Sequence, residues 1–123
     1  ERTQIPVVFE VEPDLPILPD VYNVTLYRVL QEALTNVGKH AQASRVWVEM
    51  SVDDNALNLI IQDNGQGLHS KGNPVHGLGL TGMHERLSLV GGRLVLRSAL
   101  EGGTIITASI PLKAKTIYAR ETV

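Results

Sequence analysis

From Arg45 to Ile61 apolar residues recur at every second position within two runs: Val46, Val48, Met50 and Val52, then Leu57, Leu59 and Ile61. Strand side chains alternate between faces, so each run buries one side and leaves Arg45, Trp47, Glu49, Ser51 and Asp53 on the other. Asp53, Asp54 and Asn55 supply turn chemistry between them, which predicts an antiparallel hairpin ending at Asp63. Its apolar side needs a covering layer.

Two more alternating runs, Arg93 to Leu100 and Thr104 to Ile110, are joined by Glu101, Gly102 and Gly103, whose simplest role is a hairpin turn. Ile5 to Val11 is a β-branched strand stretch, stopped by Pro13, Pro16 and Pro19. The covering layer follows from Leu26, Val29, Leu30, Ala33, Leu34, Val37 and Ala41, spaced by threes and fours along one helix from about 20 to 40. A second helix runs from Leu80 to Val90 and stops at Gly91 and Gly92. The order is strand, helix, two strands, loop, helix, two strands. The expected fold class is α/β: a two-layer sandwich whose mixed, mostly antiparallel sheet is covered on one face by helices.

With 123 residues the chain has room for one domain, expected over 1–112, followed by a polar tail over 113–123. Its 11 basic and 13 acidic residues leave a net charge of −2, which gives no overall electrostatic footprint for nucleic acid. Any anion must be held by local groups. Cysteine is absent, which excludes a disulfide framework and thiolate metal sites. No run reaches the roughly 18 apolar residues of a spanning helix. A cytoplasmic domain is expected, reading as a segment of a longer protein.

On the first helix Glu32, Asn36, Lys39 and His40 share one face. Ordinary helix patterning makes this a solvated stripe. As a site, Asn36 and Glu32 offer oxygens to a hard cation, and Lys39 and His40 offer donors to phosphate. The segment Asp63-Asn64-Gly65-Gln66-Gly67 contains an Asn-Gly turn signal, yet Leu68 to His76 is no strand that could pair back. An acid beside two glycines can instead accept a hydrogen bond from a base amine while bare backbone approaches the ring.

Gly77-Leu78-Gly79-Leu80-Thr81-Gly82 has the spacing of a dinucleotide fingerprint, but it lacks the parallel strand–turn–helix context. Backbone N–H groups of Leu80 to Gly82 at the opening of a helix still suit an anion. His84-Glu85 begins a zinc-protease pattern that Ser88 breaks.

Together, Gln31 to Ala41, Asp63 to Gly67, Gly77 to Met83 and Gly102-Gly103-Thr104 resemble, in order and spacing, the N box, two glycine boxes and closing threonine of the sensor histidine kinase ATP-binding domain. The wording Gln-Glu-Ala-Leu-Thr-Asn, the short lid and Gly-Met-His-Glu-Arg are most similar to the branch paired with NarL-type response regulators. The resemblance implies the GHKL ATPase fold shared with DNA gyrase and MutL, with ATP and Mg2+ as cofactors.

Position by position, it implies Asn36 as the magnesium ligand, with Glu32 beside it as the acid that orients metal-bound water or moves a proton. Lys39 and His40 face phosphate, and Asp63 receives the adenine amine. Gly65 and Gly67 let the base approach, Leu68 is a further nucleotide-binding position, and Thr104 completes the adenine contacts directly or through water. Residues 68–79 form the ATP lid, where Gly77, Leu78, Gly79 and Leu80 meet the phosphates. The γ-phosphoryl would pass to a histidine on a separate N-terminal dimerisation domain. The implied state is a monomeric isolated domain within a full-length homodimer, whose membrane anchoring is left open. The alternatives are a stand-alone serine kinase of the anti-sigma type and a non-catalytic nucleotide-binding conformational module.

Overall fold

The hairpin turn explains how the sheet begins. Asp54 and Asn55 both adopt left-handed backbone, with φ of 52° and 61°, and join strands paired from Asp53↔Ala56 to Val46↔Asp63. Two such central residues make a type I′ turn, whose twist matches that of the strands. Asn and Asp tolerate this conformation better than other non-glycine residues.

The computed structural model describes residues 5–66 and 79–112. It contains β1 (Val7–Val11), α1 (Asp20–Asn36), a π-helical turn (Val37–Ala41), β2 (Val46–Asp53), β3 (Ala56–Asp63), α2 (Leu80–Ser88), β4 (Arg93–Ser98) and β5 (Thr104–Pro111). The sheet order is β1-β2-β3-β5-β4, antiparallel except where β1 runs parallel to β2. The expected fold class and element order are those observed.

Alternation sorts the sheet faces as the sequence requires. Val46, Val48, Leu57, Leu59, Ile61, Ile106, Ala108 and Ile110 are buried, and they pack in one core with Leu26, Val29 and Ala33 of α1 and Met83 and Leu87 of α2. Each fully buried large side chain contributes about 1.5–3 kcal/mol relative to exposure. β1 differs: Val7, Val8, Phe9 and Val11 all stay exposed on this edge strand, which has a sheet neighbour on one side only.

Two helix ends differ from expectation. The first helix does not continue regularly to 40, since α1 ends at Asn36 and widens into the π-helical turn that contains Gly38 and Lys39. Glycine has low helix propensity, and π-turns occur mostly as single insertions. The second helix ends at Ser88, two residues short of Val90. It is closed by Gly91 in left-handed backbone, with Gly92 N–H donating to the Leu87 carbonyl (2.7 Å) and Gly91 N–H to the Ser88 carbonyl (3.0 Å). This is the Schellman pattern that the glycine pair favours. Among the described residues no helix is long and apolar enough to cross a membrane.

Candidate functional site

The last residue of β3 is the most informative. Alternation carries Asp63 onto the buried face, where it is 5% exposed. A carboxylate is costly there unless donors reach it. The Gly65 N–H donates to Asp63 Oδ1 at 2.7 Å, and the Thr104 backbone also hydrogen-bonds the carboxyl. Burial nevertheless wins, pushing the Asp63 carboxyl above its ordinary range, while the two backbone bonds pull the other way.

The turn before β5 presses on the same place. Gly103 has φ +99°, and a β-carbon there would fall on the Asp63 carbonyl oxygen and lie 2.9 Å from Asn64 Cα. Gly102 and Gly103 therefore do more than turn a hairpin: they let the start of β5 lie against the end of β3. Thr104, which follows, is buried, and its Oγ1 has no hydrogen-bond partner among the described residues. A buried hydroxyl left so is a group a ligand or water can satisfy.

A second cluster lies between the helices. Arg28 and Glu32 of α1 and Gly82 and Arg86 of α2, with Gly79 before α2, line a cleft of about 410 Å³. Gly79 is left-handed (φ +73°) and sits directly over the Glu32 carboxylate. Leu80, the first residue of α2, is buried in the core. Asn36 is 8% exposed at the end of α1, whereas Glu32 and Lys39 are exposed. The polar stripe is thus split, with its amide turned inward and the chain widening directly after it.

The structure gathers Asp63, Gly65 and Thr104 at the sheet, and Glu32 and Gly79 between the helices. The His40 side chain, Gly67, Leu68, Gly77, Leu78 and all of the 68–79 lid except Gly79 lie outside the described residues, as does the tail over 113–123. Among the described residues no three His, Cys, Asp or Glu side chains converge as a metal cage. Magnesium bound with a polyphosphate needs only one or two protein oxygens, and Asn36 and Glu32 are donors of that hard type. Sequence reasoning missed two participants: Gly103 as a contact to Asp63, and the side chain of Asn64. Neither a glycine pair nor an Asn-Gly pair carries a signal that separates such contacts from a plain turn.

Residues 22–114 match the family model described as histidine kinase-, DNA gyrase B-, and HSP90-like ATPase. The chain belongs to this ATPase family. It is 38% identical over 94 residues to the signal transduction histidine-protein kinase/phosphatase DegS of Brevibacillus brevis, covering 76% of this chain and 24% of that protein. It is 43% identical over 98 residues to UhpB of Salmonella typhimurium, another histidine-protein kinase/phosphatase, covering 80% of this chain and 19% of that one. The chain therefore spans about a quarter or less of these relatives. The fold matches the blue-light activated histidine kinase of Erythrobacter litoralis with a TM-score of 0.76 at 24% identity, over 94% of this chain and 38% of the other. Full-length ShkA, solved in complex with AMPPNP, matches at 0.70 and 23% identity, over 87% of this chain and 25% of that one. These neighbours carry the same fold.

Proposed function

We propose that this chain is the ATP-binding catalytic domain of a two-component sensor histidine kinase, donating the γ-phosphoryl of ATP to a histidine on a separate dimerisation domain. The observation that carries this reading is the buried Asp63 carboxyl, held on one oxygen by Gly65 N–H beside a Thr104 hydroxyl that has no partner among the described residues. An amino group with an adjacent ring nitrogen, as on adenine, can donate to the carboxylate and accept from the hydroxyl. Gly65 and Gly67 leave backbone bare for the ring.

Asn36 and Glu32 would hold Mg2+, which supplies charge neutralisation of the triphosphate when bound. Lys39 and His40 donate to phosphate oxygens, and the backbone N–H groups from Leu80 to Gly82 add the positive end of α2. Gly77 and Gly79 would serve as the hinge of the lid at the phosphates, with Leu78 between them. Glu32 orients water or assists proton movement at the acceptor. In this reading the full-length protein is a homodimer that signals to a NarL-type response regulator, with this domain in the cytoplasm. The likeness to proteins described as signal transduction histidine-protein kinases/phosphatases supports the kinase assignment.

Calorimetry with and without magnesium tests the site. Asp63→Asn replaces an acceptor oxygen by a donor and should abolish most ATP binding, whereas Asn36→Asp should chiefly alter metal dependence and transfer. Equal ATP affinity in wild type and Asp63→Asn refutes the assignment. Incubating the chain with labelled ATP and a separate dimerisation domain should give acid-labile phosphohistidine. An acid-stable product would instead indicate the serine kinase.

A further inference from the structure

We propose that Asn64 is a positioning residue for nucleotide binding, a clamp that fixes the Asp63–Gly65 backbone to the segment leaving the first helix. This inference rests on the ATP reading of the site and extends it to a residue that need not touch the ligand.

The geometry is specific. Asn64 Oδ1 accepts the backbone N–H groups of Ser44 (2.9 Å) and Arg45 (3.1 Å), and Nδ2 donates to Ser44 Oγ (2.9 Å). The Asn64 N–H also donates to the Arg45 carbonyl at 3.4 Å. Two converging N–H donors fix which end of the amide is oxygen. The β2–β3 ladder closes at Val46↔Asp63, so the Asn64 side chain carries the pairing one residue further, where the strands have ended.

What the clamp joins makes it relevant to binding. On one side are Asp63 and Gly65, already bonded to each other. On the other, the chain leaves the π-helical turn through Gln42 in left-handed backbone, and residues 42–45 belong to no helix or strand. Without the Asn64 side chain, residue 64 would keep its long backbone bond to Arg45 but lose the three shorter bonds to the 44–45 segment. Asn64 is itself exposed, so it packs no core; its four bonds serve placement.

The test uses the 123-residue chain, with ADP and ATP as probes in calorimetry and with the melting temperature measured in parallel. Asn64→Ala should weaken both nucleotides equally, by about tenfold, since the displaced group is Asp63 at the base end. Asn64→Asp keeps an oxygen for both N–H donors, and Ser44 Oγ–H can turn to donate to it. It should return affinity to within about threefold of wild type. Unchanged affinity in Asn64→Ala overturns the clamp, as does a lower melting temperature with unchanged affinity, a loss confined to ATP, or no recovery in Asn64→Asp.

If Asn64→Ala does not fold, Ser44→Ala decides, because it removes only the hydroxyl partner: a matched weakening of both nucleotides supports the clamp and none overturns it. Wild type that binds neither nucleotide overturns the ATP reading itself. Wild-type binding beside an unaffected Asn64→Ala overturns the clamp alone.

Discussion

Gly79 and Glu32 meet at the crossing of the two helices, so closely that a β-carbon on Gly79 would stand 2.6 Å from Glu32 Oε2. The residue opening α2 thereby limits where the α1 carboxylate can lie. Gly79 also has φ +73°, where an L side chain costs about 1–2 kcal/mol. Gly79→Ala should lower urea-unfolding stability by at least this amount and displace Glu32. In a Glu32→Ala background the contact part of the loss should vanish and the backbone part remain. A double-mutant cycle that shows simple additivity would contradict the contact.

Gly103 and Gly82 predict opposite outcomes for the same substitution. A β-carbon at Gly103 meets Asp63 and Asn64 backbone, which cannot swing aside, so Gly103→Ala should cost about 3 kcal/mol or more and cripple ATP binding. Gly82 lies within α2 with nothing inside 4 Å of the added carbon. Gly82→Ala should stabilise by about 0.5–1 kcal/mol in denaturant titration.

Asp63 links stability to pH. Its folded-state pKa is raised above the ordinary 3.8, chiefly by burial, so the folded protein holds this proton more tightly than the unfolded chain. Its contribution is therefore fully present below 3.8 and is lost as pH rises through the raised folded value. At neutral pH the nucleotide-free Asp63→Asn protein should be more stable than wild type, with the advantage shrinking at acid pH. Melting curves across pH check the sign; an advantage that grows on acidification contradicts it. The same substitution loses the acceptor proposed for ATP, so stability and binding should move in opposite directions.

Thr104 gives a similar separation without charge. Its buried Oγ1 is unsatisfied among the described residues, so Thr104→Val replaces a desolvated hydroxyl by a methyl of the same shape. The nucleotide-free protein should be unchanged or about 1 kcal/mol more stable. ATP affinity should fall by about threefold to tenfold, read by calorimetry at constant magnesium.

Local order was readable from residues 45 to 63 and 93 to 110 because alternation is a property of the strand itself, and Asp54-Asn55 suits left-handed backbone wherever it occurs. The helices were readable for the same reason, as was the ordered set of motifs that marks an ATPase of this family. The sequence alone determined which faces of the central strands turn inward and which chemical groups are available: an acid at a strand end, an amide on a helix, glycines beside both.

Tertiary structure decided who meets whom. The exposed parallel edge strand β1, the placement of β5 between β3 and β4, and the inward turn of Asn36 before the π-helical turn depend on packing across the whole sheet. So do Gly103 against Asp63, Gly79 over Glu32, and Asn64 reaching Ser44. Periodicity records a residue's own face, but such contacts join segments far apart in the chain. Only the closed core brings those segments within hydrogen-bond reach.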